Sequence, residues 1–273
     1  RKSFETFLRS FSLLIKMTSK MVAVITGASS GLGKATAVLF ARNGYHLSLC
    51  GRNEKALEGV ASNCLAEGGL TREQVLTIIG DVCEEKTLQN IVKRTDESFG
   101  RIDVLVNCAG VIASGGAENT PTSVLDGLMN VNVKSMIRLS QLVVPYLEKT
   151  KGSIVNVSSI AGICAFPAVT YYCISKAAVD KFTECLSMEL APKGIRVNAV
   201  NPALIVTELH LRSGMPEEQY SDFVRRGAQT HALGRVGTPE EVASSILFLA
   251  RDATFTTGQL LKIDGGKALM TPR

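Results

Sequence analysis

From Val22 onward, short apolar runs alternate with stretches whose apolar residues recur three and four positions apart. Short apolar runs bounded by turn residues read as buried strands, and the three-and-four spacing reads as helices with one buried face. The pattern predicts strands over 22–26, 46–50, 75–79, 104–106, 153–157, 196–200 and 260–263. It predicts helices over 32–43, 54–67, 84–99, 124–147, 172–190 and 239–250. Gly44, Gly68-Gly69 and Gly100 stop the first three helices, and Thr-Pro-Thr-Ser at 120–123 opens the long fourth.

Strands that alternate with helices imply parallel pairing with helices on both faces of the sheet. The alternation never breaks, and no Pro/Gly/Ser-rich linker or internal repeat divides it. The expectation is an α/β chain: one doubly wound Rossmann-type domain over 17–273, with a parallel sheet of about seven strands. An apolar content of 45% fills such a core and excludes a largely disordered chain. No apolar run is long enough to span a membrane. Lys+Arg 30 against Asp+Glu 25 leaves a net charge of +5, but the bases are scattered, which points away from nucleic acid.

Residues 1–16 differ from the rest. Phe4, Phe7, Leu8, Phe11, Leu14 and Ile15 recur at helical spacing among Arg1, Lys2, Arg9 and Lys16, with Glu5 the one acid. This extension reads as a targeting segment of the transit-peptide kind or as a remnant upstream of a natural start at Met17. Seven cysteines with no C-x-x-C pair, most of them among apolar neighbours, read as reduced structural thiols. The expected compartment is therefore reducing: the cytoplasm, or mitochondria if the extension is a transit peptide. The three histidines have no ligand spacing, and no metal site is expected.

The turn after the first strand reads Thr26-Gly27-Ala28-Ser29-Ser30-Gly31-Leu32-Gly33. Glycines at such a turn let the backbone approach a pyrophosphate, which then meets the N–H groups and positive end of the following helix. A dinucleotide site is the expectation. A rival reading takes Gly27–Gly31 as the G-x-S-x-G elbow of a hydrolase, with Ser29 as nucleophile and His231 as base; the elbow's position after the first strand opposes it.

The end of the second strand bears on which dinucleotide binds. An acid there would accept a ribose 2′-hydroxyl. The sequence instead has Cys50-Gly51-Arg52-Asn53, where Gly51 leaves room beside the ribose and Arg52 is placed for a 2′-phosphate. NADP(H) is expected over NAD(H).

Tyr172 and Lys176 stand four apart, on one face of a helix. A nearby ammonium stabilises phenolate, so such a pair can exchange a proton with a developing alkoxide. Alone the pair is weak evidence. Taken in order with the glycine turn, Asn107-Cys108-Ala109-Gly110, Asn132 and Ser158-Ser159, it resembles the classical short-chain dehydrogenase/reductase family. The resemblance runs from about Met21 to Leu269 and includes Asn201-Pro202, Leu233–Glu241 and Asp264-Gly265-Gly266.

The resemblance implies roles. Tyr172 would be the general acid/base, Lys176 would bind the nicotinamide ribose and lower the phenol's pKa, and Ser159, 13 residues before Tyr172, would polarise the carbonyl. Asn132 would hold a water linking Lys176 to solvent. Gly27, Ser29, Ser30, Gly31, Leu32, Gly33, Arg52 and Asn53 would hold phosphates and ribose. Asp81 and Val82 would meet adenine, and Asn107, Ala109 and Gly110 would line the cofactor. Pro202, Ile205 and Thr207 would hold the carboxamide. The family's second Asn is here Cys108, and the Gly of its N-P-G is Ala203. The implied activity is NADP(H)-linked interconversion of a carbonyl and a secondary alcohol in a homotetramer; a non-catalytic NADP-binding sensor is the alternative. Residues 205–230 are expected to form a fairly apolar lid, which suits an apolar ketone, a steroid or a 3-oxoacyl thioester as the small-molecule substrate.

Overall fold

The computed structural model describes residues 20–270; the expectations placed on residues 1–16 lie outside them. Seven strands form one sheet: β1 (Val22–Thr26), β2 (His46–Gly51), β3 (Val75–Ile79), β4 (Val104–Asn107), β5 (Ser153–Val157), β6 (Arg196–Pro202) and β7 (Leu260–Ile263). Their order is β3-β2-β1-β4-β5-β6-β7, and every neighbouring pair is parallel. The connecting helices are α1 (Gly31–Arg42), α2 (Glu54–Gly68), α3 (Glu85–Phe99), α4 (Thr122–Met129), α5 (Ser135–Thr150), α6 (Thr170–Leu190), α7 (Leu209–Arg212), α8 (Glu217–Gln229) and α9 (Pro239–Leu247). This is the doubly wound Rossmann architecture that the alternation predicts.

Side chains along a strand alternate between the two sheet faces. In β1, Ala23 and Ile25 pack with Phe40, Leu57 and Ile246 of α1, α2 and α9. Val24 points the other way, into a core with Ile91, Leu139 and Val143 of α3 and α5. With helices on both faces, the strands need no polar side, so β1, β4 and β5 are buried along their whole length.

The chain builds outward from β1 to β3, then returns to place β4 on the other side of β1. That reversal leaves a crevice at the carboxyl ends of β1 and β4, where no connection crosses.

One expectation changes. The helix predicted over 124–147 is two helices, α4 and α5, joined by a π-turn at Asn130–Lys134. Apolar spacing continues through the turn, so periodicity alone does not reveal it. π-turns inside helices often mark functional sites, and this one contains Asn132. The predicted lid folds as α7 and α8. The seven cysteines are all free thiols, but only Cys50 and Cys64 are fully buried, while Cys83 and Cys185 are exposed. No described helix is long and apolar enough to cross a membrane.

Candidate active site

The glycine turn is built by close backbone approach. Gly27 has φ +64°, and a Cβ there would stand 2.9 Å from the main chain of Ala109. A Cβ on Gly33 would stand 2.3 Å from the Gly27 carbonyl oxygen. The Thr26 hydroxyl oxygen accepts from the N–H groups of Cys108 and Ala109, both at 3.1 Å, and so fixes the end of β4 against the turn. No side chain caps the start of α1, and its first turn carries no acid. Its positive end is therefore available to an anion.

A cleft of about 810 Å³ opens over this turn. Every residue that the sequence assigns to the cofactor lines it except Asn107. Asn107 is instead buried at the end of β4, where its amide donates to Asn156 Oδ1 at 2.9 Å and Ser140 Oγ at 3.3 Å. Its amide is thus used within the protein, tying β4 to β5 and to α5.

At the far end of the cleft Arg52 faces Asp81, with Nη1 3.6 Å from Oδ2. Asp81 Oδ1 accepts from the Cys83 N–H, and Asn53 caps α2 by accepting from the Ala56 N–H at 2.9 Å. A Cβ on Gly51 would meet Ser29 at 3.2 Å, so this position offers less room beside a ribose than the sequence suggests.

At the other end lie Ser159, Tyr172 and Lys176. β5 delivers Ser159, and α6 delivers Tyr172 and Lys176 on one face. Tyr172 is 8% exposed. Burial pushes its hydroxyl up to about 12, and a hydrogen bond with Ser159 pulls it back. Lys176 Nζ donates to the Val157 carbonyl at 2.8 Å and stands 5.7 Å from the Tyr172 ring centre. Burial pulls the ammonium down to about 8.

Ser159 is held by its neighbours. Its Oγ accepts from the Ala161 N–H at 3.1 Å, and its carbonyl accepts from Asn201 Nδ2 at 2.9 Å. The same Asn201 amide donates to the buried Asp180 carboxylate, a support that sequence reading missed. Ser158 turns away and donates to the Lys176 carbonyl.

Asn132 does not line the cleft, and it is fully buried. Its Oδ1 accepts from the Val111 N–H at 2.8 Å, while its Nδ2 donates to Val111 O and Ser175 Oγ, each at 3.0 Å. Both amide hydrogens are used, and the side chain braces the β4 loop against α6. Cys108, which replaces the family's second Asn, is a desolvated thiol pushed up to about 12.

The lid supplies Leu209, His210, Arg212 and Phe223 to the cleft, and the segment after β7 supplies Lys267. Tyr220 pins the lid's base, accepting from the Thr207 N–H at 3.1 Å and donating to its carbonyl at 2.8 Å. The sequence predicts an apolar lid over 205–230 but does not single out His210, Arg212 or Lys267, which the cleft lining includes. The hydrolase alternative finds no support: His231 is buried, with its Nδ1 2.6 Å from the Gly227 carbonyl, and does not line the cleft that holds Ser29.

Comparison with known proteins gives the same picture. A family model described as enoyl-(acyl carrier protein) reductase matches residues 27–268. The 3-oxoacyl-(acyl-carrier-protein) reductase FabG of Thermotoga maritima is 39% identical over 247 residues, covering 90% of this chain and 96% of that protein. An NAD-dependent glycerol dehydrogenase of Listeria innocua is 34% identical over 268 residues, covering 97% and 98% of the two chains. Among solved structures, a short-chain dehydrogenase/reductase of unknown function from Caenorhabditis elegans, determined with cofactor, superposes with a TM-score of 0.89 at 36% identity, over 93% of this chain and 97% of that one. A parallel seven-stranded sheet, a glycine turn at its switch point and near full-length similarity to these oxidoreductases place the chain in the short-chain dehydrogenase/reductase family, as an NAD(P)-dependent oxidoreductase.

Proposed function

We propose that the protein is an NADP(H)-dependent reductase that converts a ketone to a secondary alcohol, with Tyr172 as proton donor. The observation that carries this reading is the phenol itself. It is buried at one end of the cleft, hydrogen-bonded to Ser159, beside the Lys176 ammonium, and it keeps its proton at neutral pH. A group of this kind is matched to delivering a proton to an alkoxide.

The cradle fits a dinucleotide. The Gly27 and Gly33 positions that a Cβ would fill leave the backbone open beside the uncapped end of α1. The turn and that helix end hold the diphosphate. Arg52 takes the 2′-phosphate, exchanging its contact with Asp81. Lys176, anchored on Val157, presents its remaining N–H donors to the ribose. A bound nicotinamide dinucleotide supplies the hydride.

The substrate oxygen lies between the Ser159 and Tyr172 hydroxyls, which donate to it as negative charge develops. Tyr172 Oη then gives up its proton, and Lys176 keeps the local potential positive so that the phenolate is tolerated until it is reprotonated. Asn132 is a positioning residue: it holds the Val111 segment and Ser175 in place around Lys176. The chain assembles as a homotetramer. Exposed apolar side chains on α6 and beyond, such as Ile174 and Met188, support this. Seven free thiols support a reducing compartment, the cytoplasm.

The test is NADPH oxidation on addition of a panel of ketones and 3-oxoacyl thioesters. Carbonyl-dependent oxidation is expected. Tight NADPH binding with no turnover on any carbonyl would instead favour a cofactor sensor.

A further inference from the structure

The charge balance inside the cleft is lopsided. Its lining holds four cationic side chains, Arg52, Lys176, Arg212 and Lys267, and one carboxylate, Asp81. Two of the four cations have a polar partner within the protein. Arg52 faces Asp81, and Lys176 is bonded to Val157 beside the Tyr172 phenol. Arg212 stands on the lid helix α7 and lines the cleft beside Leu209 and His210.

Lys267 is different. Its ammonium sits over the Phe166 ring, 5.6 Å from the centre. Phe166 packs in the same cluster as Tyr172, Val111, Ile112 and Val169, which is the substrate half of the cleft. Among the described residues Lys267 Nζ has no ion pair and no hydrogen bond. The nearest acid in sequence, Asp264, is occupied: its two oxygens accept from the N–H groups of Gly266 and Ala268 at 3.0 and 2.9 Å. Those bonds, with Gly265 and Gly266 both at positive φ, fix the turn that carries Lys267 into the cleft. Desolvation lowers its pKa; desolvation, and to a lesser degree the Lys267 charge, also lower those of His210 and His231.

A lysine is ordinarily a solvated surface charge. Holding one half-buried on a rigid turn, with no counter-charge, is costly unless a ligand supplies the partner. We propose that the substrate carries an oxyanion, a carboxylate or a phosphate, and that Lys267 binds it in the substrate half of the cleft while the carbonyl lies at Tyr172. This narrows the apolar-ketone expectation to a keto acid or keto phosphate whose carbon chain meets Phe166 and Val169 and whose anion meets Lys267. The inference rests on the reductase reading for the position of the carbonyl.

The test compares matched pairs with NADPH: levulinate against its methyl ester, and hydroxyacetone phosphate against hydroxyacetone. One anion should exceed its neutral partner about 10- to 100-fold in kcat/KM, the scale of a hydrogen bond to a charged group, and the excess should lie in KM. The pair with the larger ratio tells carboxylate from phosphate. Lys267→Met should collapse that ratio toward one, and Lys267→Arg should restore most of it. Calorimetric titration of the preferred anion into the protein–NADPH complex should show the same dependence on Lys267. Equal kcat/KM within both pairs, no binding of either anion, or a ratio unmoved in Lys267→Met overturns the proposal. Anion binding that depends on Lys267 without reduction of any carbonyl would keep this inference and sink the reductase reading. Reduction of neutral ketones with no response to charge would do the reverse.

Discussion

Arg52→Ala isolates the basis of cofactor choice. The guanidinium and the Asp81 carboxylate are 3.6 Å apart, with side chains 69% and 37% exposed. An exposed pair of this kind contributes about 0–1 kcal/mol, so Arg52 gives it up at little cost. A charge-assisted contact to a phosphate contributes about 1.5–3 kcal/mol. The difference is about 0.5–3 kcal/mol, or roughly 2- to 150-fold in favour of NADPH. Removing the guanidinium loses that gain and leaves Asp81 to repel the 2′-phosphate. The ratio of kcat/KM for NADPH to that for NADH, measured with one carbonyl substrate, should therefore fall by at least about 2-fold in Arg52→Ala. The change should lie in the KM for NADPH, with NADH little affected. A native enzyme that prefers NADH, or a variant in which both cofactors weaken equally, refutes the assignment. An acid at Gly51 is a poorer probe, because its Cβ would press on Ser29 at 3.2 Å and disturb the glycine turn.

Three further outcomes are expected. Burial brings Lys176 to about 8 and Tyr172 to about 12, so above pH 8 the ammonium loses its proton while the phenol keeps its own; kcat/KM for reduction should fall with rising pH through about 8, and a profile flat to pH 10 would contradict the role of Lys176. Gly33→Ala places a Cβ 2.3 Å from the Gly27 oxygen; overpacking of about 1–3 kcal/mol at about 2–4 °C per kcal/mol should lower Tm by several degrees and weaken cofactor binding, which a thermal melt with and without NADPH reads out. Light scattering at micromolar concentration should give four times the mass of one chain, and a monomer would oppose the assembly proposed for the Met188 face.

Much of this molecule is legible in its sequence, for a physical reason. A parallel sheet covered on both faces needs strands that are apolar throughout, and the helices need one apolar stripe each, so the alternation is written plainly from Val22 to Ile263. The glycine turn is legible because Gly27 and Gly33 have no room for a side chain. Other features leave weaker traces. The π-turn at Asn130–Lys134 preserves apolar spacing on either side, so it looks like continuous helix. Asn107 and Asn132 are polar residues beside the cleft in sequence, yet their amides are spent on Asn156 and on Val111. Whether an amide faces ligand or protein is decided by tertiary contacts. Lys267 and His210 reach the cleft from separate segments, and nothing local to either one announces it. The desolvation of Tyr172 likewise depends on how deeply α6 is buried, which spacing does not report.

The central claim is that a protonated Tyr172 donates to the carbonyl oxygen, and Tyr172→Phe tests it most directly. The ring and its packing with Leu128 and Ala161 are kept, while the one hydroxyl is removed. Single-turnover reduction by pre-bound NADPH separates chemistry from cofactor binding. The account predicts a fall of at least about 100-fold in the chemical step with NADPH affinity nearly unchanged, the scale of general acid catalysis. A chemical step within a few-fold of the native rate would contradict it.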